Sequence, residues 1–186
     1  MITNAKFKFA LKEMMAEMPL EDINVTTLCQ KCGCHRQTFY YHYQDIYDLI
    51  QAILLSEEIA KFDSSKTVRD ALRAFVVYAK DNYSFLQQAY NSAAKDLVDD
   101  FMFSKLNVKF YNLFSSDPEF ADMKIDNRRN LARRFANAVS SEIGYCFKVN
   151  THTIEWFQKR MYRYIDNAIA FLFPGYVDLC RREEAK

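Results

Sequence analysis

Glycine and proline are scarce in this chain. Only three of each occur among 186 residues. Folds rich in β-sheet need turn residues at short intervals, so this scarcity argues for long helices joined by few tight turns. Half of the residues are hydrophobic, and 16 Phe and 12 Tyr supply ample material for a core. The composition therefore predicts an all-α fold.

Long apolar runs are missing as well. No stretch of about eighteen uncharged apolar residues occurs, so we predict no membrane-spanning helix. Near the amino terminus, charges at Lys6, Lys8 and Lys12 come too early for the apolar core of a signal peptide. Five Cys are an odd number, which is typical of reduced thiols and not of a disulfide framework. These features predict a cytoplasmic protein.

The chain also lacks an excess of positive charge. The formal net charge is +1, and the first fifty residues contain five Lys or Arg against six Asp or Glu. Bulk charge therefore predicts no polyanionic partner. If the amino-terminal segment binds DNA, its cations must be sorted onto one face.

No pattern typical of a catalytic or metal centre is present. Cys29, Cys32, Cys34 and His35 lie close in sequence, but structural zinc usually needs a second paired set of ligands, and none follows. The other histidines are His42 and His152. We interpret the thiols as small side chains that fill close helix contacts. Without a nucleophile beside an acid-base partner, a glycine-rich phosphate loop or a Glu-x-x-His pair, we predict no enzyme, no cofactor and no metal.

What the sequence does contain is a series of amphipathic segments with capping residues. Apolar spacing predicts a first helix at about 3–16, which Pro19 stops. Asn24 is a suitable N-cap for a second, short helix, and Gly33 is expected to end that helix in a left-handed conformation. A third short helix follows at about 35–41. Two short helices joined by a glycine turn form a helix-turn-helix.

The remaining segments predict further helices. Asp45 is expected to cap a fourth helix, which connects a head to a larger body. The boundary is predicted at 61–66, with Thr67 as the cap of the next helix. Later helices are predicted at about 83–93, 95–114, 126–147 and 151–173, the last of them stopped by Pro174 and Gly175.

The third predicted helix carries the functional signal. Its exposed residues are Arg36, Gln37, Thr38, Tyr40, Tyr41 and His42. They are hydrogen-bonding groups and aromatics, and none is negatively charged. Such a face fits the major groove of DNA, where Arg can read guanine and Gln can read adenine.

The same segment resembles the recognition motif of the TetR family of transcriptional regulators. That family shows an aliphatic residue followed by Ala-x-x-Ala-Gly-Val-Ser-x-x-Thr-Leu-Tyr-x-His-Phe. The matching positions are Leu28, Cys29, Cys32, Gly33, Thr38, Phe39, Tyr40, His42 and Tyr43. The resemblance covers residues 2–55. It implies a homodimer that binds a palindromic operator on double-stranded DNA and is controlled by an effector or a partner protein.

The resemblance also implies DNA contacts by position. The predicted DNA-binding residues are Thr26, Thr27, His35, Arg36, Gln37, Thr38, Tyr40, Tyr41 and His42. Tyr40 and His42 are expected to hold backbone phosphates, and Arg36, Gln37 and Tyr41 to face bases or neighbouring phosphates. One of the two threonines is expected to contact a phosphate at the start of the second helix.

Two positions depart from the family pattern. The family usually has Ser where His35 stands, as the cap of the recognition helix. It usually has Lys, near a phosphate, where Ile46 stands. Together with the missing positive charge, these departures favour an alternative, a protein–protein co-regulator that keeps the fold and has lost DNA binding.

The sequence from Arg36 to Ile50 and the chain length resemble those of the dihydroxyacetone-kinase regulator subgroup of the family. Members of that subgroup can activate transcription and work with a protein co-regulator. The resemblance therefore implies a small-molecule effector or a protein co-regulator as a further partner.

The resemblance divides the chain into a DNA-binding head (1–60, with the connecting helix from about 45) and a ligand-binding and dimerisation body (61–186). Candidate ligand-binding residues are Tyr78, Asn82, Tyr83, Gln87 and Tyr90, with ordinary half-exposed helix positions as the alternative interpretation. The last two helices are predicted to form a four-helix dimer core. Their predicted faces comprise Leu131, Phe135, Ala138, Val139 and Tyr145 on one helix, and Phe157, Met161, Tyr164, Ile165, Ala168 and Phe171 on the other.

Overall fold

The computed structural model describes residues 4–148 and 153–184. Every regular element in these two ranges is a helix, which confirms the predicted all-α class. Among the described helices, none combines the length and the apolarity that a bilayer crossing requires.

The helices follow one another with short connections. The first six are α1 (Asn4–Glu17), α2 (Val25–Cys32), α3 (Arg36–Tyr40), α4 (Ile46–Ser56), α5 (Val68–Asp81) and α6 (Tyr83–Tyr90). The later ones are α7 (Lys95–Ser116), α8 (Ile125–Lys148), α9 (Ile154–Asn167) and α10 (Phe173–Glu184). Short 3₁₀ turns lie at Leu20–Asp22 and Pro118–Phe120, and a π-helical segment, Ala168–Leu172, joins α9 to α10.

The helix starts lie where the capping residues predict them. The Asn24 side chain accepts hydrogen bonds from the backbone N–H groups of Thr26 and Thr27 at 3.0 and 3.1 Å. Asp45 accepts one from the N–H of Asp48 at 2.8 Å, and Thr67 accepts one from that of Asp70 at 3.1 Å. These side chains satisfy N–H groups that the first turn of a helix leaves without partners.

The chain folds into two compact units. The first contains the described residues up to Glu58 together with Asn82–Phe101, and the second contains Ile59–Asp81 and the described residues from Met102 onward. Because α6 buries Phe85 and Leu86 and packs against α1, it belongs to the first unit. The compact units do not follow one cut near residue 60, and the functional division at that point stays a prediction.

The core of the first unit is built around α1. Phe7, Leu11 and Met15 are fully buried on one face of this helix, as the apolar spacing predicts. The Phe7 ring meets the Phe39 ring edge-on, with centroids 5.4 Å apart. Contacts of this kind fix α3 against α1, and they leave the opposite side of α3 facing solvent.

The second unit packs α5 against α9 and α8 against α10. Its aromatic core includes Phe110 and Phe135, whose ring centroids are 5.0 Å apart. Arg134 binds the Glu183 carboxylate with two nitrogens, at 3.1 and 2.9 Å, and so ties α8 to the end of α10.

The expected stop before Pro174 is wrong. The helical path passes through this residue, which lies in the first turn of α10. A proline lacks a backbone N–H and its ring crowds the carbonyl four residues earlier, but the first turn of a helix tolerates it. The π segment Ala168–Leu172 lies just before Pro174 and has a different hydrogen-bonding pattern from an α-helix. This pattern accommodates the proline ring where continuous α-helix would have clashed with it.

Candidate nucleic-acid interface

The helix-turn-helix is held by small and apolar side chains. Leu28, Cys29 and Cys32 on α2 and Phe39 on α3 are buried. Gly33 adopts φ +64°, and its N–H donates to the Gln30 carbonyl at 3.0 Å. The left-handed conformation predicted at this glycine is confirmed, and it lets α3 begin after only three intervening residues.

Two of the three thiols near this turn, those of Cys29 and Cys32, are buried. Burial, followed by a hydrogen bond with Cys34, raises the pKa of the Cys29 thiol to about 11. A thiol with such a pKa stays protonated at neutral pH and is a poor nucleophile. Among the described residues, no group of three or more His, Cys, Asp or Glu side chains is placed to hold a metal ion.

The exposed face of α3 is polar and aromatic. His35, Arg36 and Gln37 are exposed, while Thr38 and His42 are half-buried. Tyr41 is 86% exposed and Tyr40 is 49% exposed. Adjacent helical residues point about 100° apart, and Tyr40 is the more covered of the two tyrosines.

Arg36 and Tyr40 form a local pair on this face. The guanidinium donates to the Tyr40 hydroxyl at 3.1 Å and lies 5.7 Å from the centroid of its ring. That hydrogen bond raises the pKa of Arg36. The hydrogen bond fixes the direction in which the Arg36 guanidinium projects from the helix surface.

At the start of α2, the two threonines differ. The Thr27 hydroxyl accepts a hydrogen bond from the Asn24 N–H at 3.1 Å and donates to the Asn24 carbonyl at 2.9 Å. Thr26 is exposed, and its hydroxyl makes no hydrogen bond with another described residue. Thr26 is therefore the residue better placed to meet an outside acceptor.

The two departures from the sequence motif have visible consequences. His35 stands at the N-cap of α3 and makes no side-chain capping hydrogen bond. Ile46 is buried at the first position of α4, where it contributes to the core.

Two lysines of the first unit have partners within that unit. Lys8 donates to the Ala52 carbonyl at 2.8 Å and to Ser56 at 2.7 Å. Lys12 pairs with Glu57. These contacts stabilise the unit and take two positive charges away from any outside partner.

The candidate ligand residues are mostly core. Tyr78, Tyr83 and Tyr90 are buried, and Asn82 and Gln87 are half-buried. Asn82 accepts a hydrogen bond from Lys12 at 2.9 Å, and Gln87 donates to the Tyr83 hydroxyl at 3.3 Å. Tyr78 belongs to the second unit and the other four to the first. Their role in ligand binding stays a prediction.

Sequence reasoning missed an open groove in the second unit. It has a volume of about 250 Å³ and lies between α8 and α9. Its lining residues are Glu142, Trp156, Lys159, Arg160, Arg163, Tyr164 and Asn167. Six of them recur at helical spacing along α9, but Glu142 comes from α8, so their meeting depends on the tertiary fold.

The comparisons with known proteins bear on the fold. No family model matches the chain, and no curated protein sequence matches it. Among solved structures, it is similar to a chain described as the dihydroxyacetone kinase operon activator DhaS, with 17% identity and a TM-score of 0.62. The match covers 91% of this chain and 97% of that one. At this identity the likeness shows the fold, and it supports the all-helical architecture.

Proposed function

We propose that this chain is a TetR-type transcriptional regulator that binds operator DNA as a homodimer through α3. One observation carries the proposal: a short helix, fixed by a helix-turn-helix core, presents Arg36, Gln37 and Tyr41 to solvent. No acidic residue lies in α3. The name of the structural neighbour, an operon activator, agrees with a regulatory role.

The proposed contacts follow from the exposed groups. Arg36 and Gln37 lie in the first turn of α3, the part of a recognition helix that meets base edges. Tyr40 and His42 supply hydrogen-bonding groups to phosphates beside the groove. Thr26 takes the phosphate contact at the start of α2, because the Thr27 hydroxyl is committed to its cap.

Dimerisation is part of the proposal, since one short helix reads too few base pairs for useful specificity. Leu131, Phe135 and Val139 are buried within the second unit, so they belong to its own core. The surface left for a second copy lies on the outer side of the last helices. Phe171, 77% exposed in the segment between α9 and α10, is the proposed apolar anchor.

Regulation is proposed to be allosteric. An effector or a partner protein binds the body and changes the spacing of the two recognition helices. Such a ligand must bind the two conformations with different affinity. A cognate effector that saturates the protein and leaves operator affinity unchanged contradicts this mechanism.

The test is fluorescence anisotropy of purified protein with duplex DNA, at two salt concentrations. The duplex comes from upstream of the gene and, in parallel, from selection out of a random pool. Arg36→Ala is expected to lose sequence discrimination, and Tyr40→Phe to weaken all duplexes more evenly. Arg73→Ala and Tyr111→Phe, the same substitutions at positions in the second unit, are expected to bind as wild type does.

The competing function is that of a protein–protein co-regulator whose amino-terminal domain does not bind DNA. His35 without a capping bond, the buried Ile46 and the internally committed Lys8 and Lys12 favour it. A folded dimer that selects no sequence from the random pool, even at low salt, would establish this alternative and overturn DNA binding.

A further inference from the structure

We propose that Cys29 and Cys34 form a reversible disulfide across the turn between α2 and α3, and that this bond weakens operator binding. Both residues lie in the first unit, so the bond needs no contact with the second. The disulfide follows from the placement of the two thiols, whereas its effect on DNA rests on the proposed function.

The end of α2 brings the two cysteines together. Gly33 has φ +64° and its N–H donates to the Gln30 carbonyl at 3.0 Å, while the N–H of Cys34 donates to the Cys29 carbonyl at 3.0 Å. This pair of bonds forms a Schellman motif, in which the first and last side chains commonly contact each other. Here both of those side chains are thiols, and they share a hydrogen bond.

The other thiols are directed elsewhere. The Cys32 thiol lies 3.9 Å from a backbone carbonyl of α1. Cys146 and Cys180 belong to the second unit, where each contacts another side chain. Cys29 is therefore the sulfur that faces Cys34. Side chains that already point towards each other can be bridged without a large movement of the backbone.

Exposure decides which thiol reacts first. Cys34 is half-buried, whereas Cys29 is 2% exposed. An oxidant that arrives from solvent therefore meets Cys34. Cys29, which stays protonated at neutral pH, serves as the second sulfur. Its contact with Cys34 replaces a bimolecular encounter, and this proximity offsets its poor nucleophilicity.

Hydrogen peroxide is the proposed oxidant. The Cys34 sulfur attacks one peroxide oxygen, the O–O bond breaks, and the other oxygen leaves as water with the proton of the thiol. The Cys29 sulfur then attacks the sulfenic acid on Cys34. The S–S bond forms, the S–O bond breaks, and the oxygen leaves as a second water with the proton of Cys29. The two sulfurs lose two electrons, and the peroxide gains them.

A disulfide at this point moves the start of α3. An S–S bond is about 2.05 Å long, much shorter than the distance between non-bonded sulfurs, so its formation draws Cys34 towards α2. The next residues are His35, the N-cap of α3, and Arg36. His35 makes no side-chain capping hydrogen bond that would oppose the displacement. The first turn of α3, which carries the proposed base contacts, is therefore displaced when the bond forms.

Trypsin separates the two cysteines of the pair and so reports the bond. It leaves Cys29 in the peptide 13–31 and Cys34 in the peptide 32–36, together with Cys32. The full-length protein is treated with hydrogen peroxide, the remaining thiols are alkylated, and the digest is analysed by mass spectrometry. We expect the two peptides to be linked, with Cys32 alkylated, and the link to disappear with dithiothreitol.

Three variants identify the bond. Cys29→Ala and Cys34→Ser each remove one sulfur of the pair and are expected to give no linked peptides. Cys32→Ala is the matched control, because it removes another thiol of the same turn and is expected to keep the link. The TetR motif has Ala where Cys29 and Cys32 stand, so both alanine variants are expected to fold.

The effect on DNA is measured by fluorescence anisotropy with a duplex selected by the reduced protein. The oxidised wild type is expected to bind about tenfold more weakly, the effect of losing one good base contact, and dithiothreitol to restore the affinity. Peroxide also oxidises methionine. The Cys29→Ala variant keeps all seven Met, and its affinity is expected to be equal before and after treatment.

The outcomes separate the two parts of the proposal from the proposed function. A digest without linked peptides, or with a bond confined to the peptide 32–36, overturns the disulfide. A linked protein with unchanged operator affinity overturns its regulatory effect. Reduced protein that selects no duplex contradicts the proposed function instead, and the digest still decides on the disulfide.

Discussion

Arg36 donates a hydrogen bond to the hydroxyl of Tyr40, one turn further along α3, at 3.1 Å. The tyrosine is the acceptor in this contact, so its own O–H is left to donate to a phosphate. The guanidinium, in turn, is held above the helix surface before any DNA arrives.

The first prediction concerns the coupling of these two residues. The Tyr40→Phe variant lacks the hydroxyl group. Arg36 therefore loses its hydrogen-bond acceptor, and the protein loses the proposed phosphate contact of Tyr40. A double-mutant cycle with Arg36→Ala is expected to give a coupling clearly different from zero in operator binding. Anisotropy titrations of the four proteins measure it. Strictly additive effects would mean that the pair seen in the free protein plays no part in the complex.

The second prediction concerns the dimer. Phe171→Glu places a charge on a side chain that is 77% exposed in one copy, so the subunit is expected to fold while the dimer dissociates at micromolar concentration. Sedimentation velocity measures the mass. Phe9→Glu is the matched control, because Phe9 is 64% exposed on α1. A Phe171→Glu protein that remains dimeric would place the interface elsewhere.

The third prediction compares two glycines. An added Cβ meets no atom within 4 Å at either Gly33 or Gly175, but only Gly33 has a positive φ, +64°. Gly33→Ala is expected to lower the free energy of unfolding by about 1–2 kcal/mol through backbone strain. Gly175→Ala, within α10, is expected to raise it by about 0.5–1 kcal/mol. Urea denaturation measures both, and equal signs would contradict the argument.

The fourth prediction concerns a buried lysine. Lys109 is 8% exposed, and its ammonium donates to the carbonyls of Asp63 and Ser65 at 2.8 and 2.9 Å. Burial lowers the pKa of Lys109. Between its folded and unfolded pKa values the unfolded chain binds more protons, so the contribution of this group to stability rises with pH.

Lys109→Met removes both the hydrogen bonds and this titration. At pH 7 it is expected to cost about 1–2 kcal/mol of unfolding free energy, because two carbonyls lose a charged donor. The gap to wild type is expected to widen as the pH rises towards the ordinary lysine pKa of about 10.4. Lys124→Met, at an exposed position, provides the control with a constant gap. A gap that narrows with pH would reverse the assigned direction of the pKa shift.

Much of the fold could be predicted because its signals are local. Asn24, Asp45 and Thr67 cap helices through groups two or three residues away, and Gly33 turns the chain by its own backbone freedom. A residue type at one position is enough to indicate such features. The end of the last helix was different, because the π segment that accommodates Pro174 has no comparable sequence signal.

The candidate sites show the same limit. The exposure of Arg36 and Gln37 follows from the period of one short helix. By contrast, apolar periodicity did not distinguish Leu131 and Phe135, which are buried inside one copy, from residues that face a partner. The groove depends on Glu142 and Arg160 meeting across two helices, and only the tertiary packing shows that contact.

The π segment also sets the direction in which the side chains of α10 point. An α-helix advances by about 100° per residue. A π-helical turn takes one residue more than an α-helical turn, so ordinary winding over the same five residues, Ala168–Leu172, would rotate α10 by nearly that angle and turn Val177 and Cys180, now buried, away from the core. The extra residue that the π segment absorbs therefore keeps the buried face of α10 in register with the core.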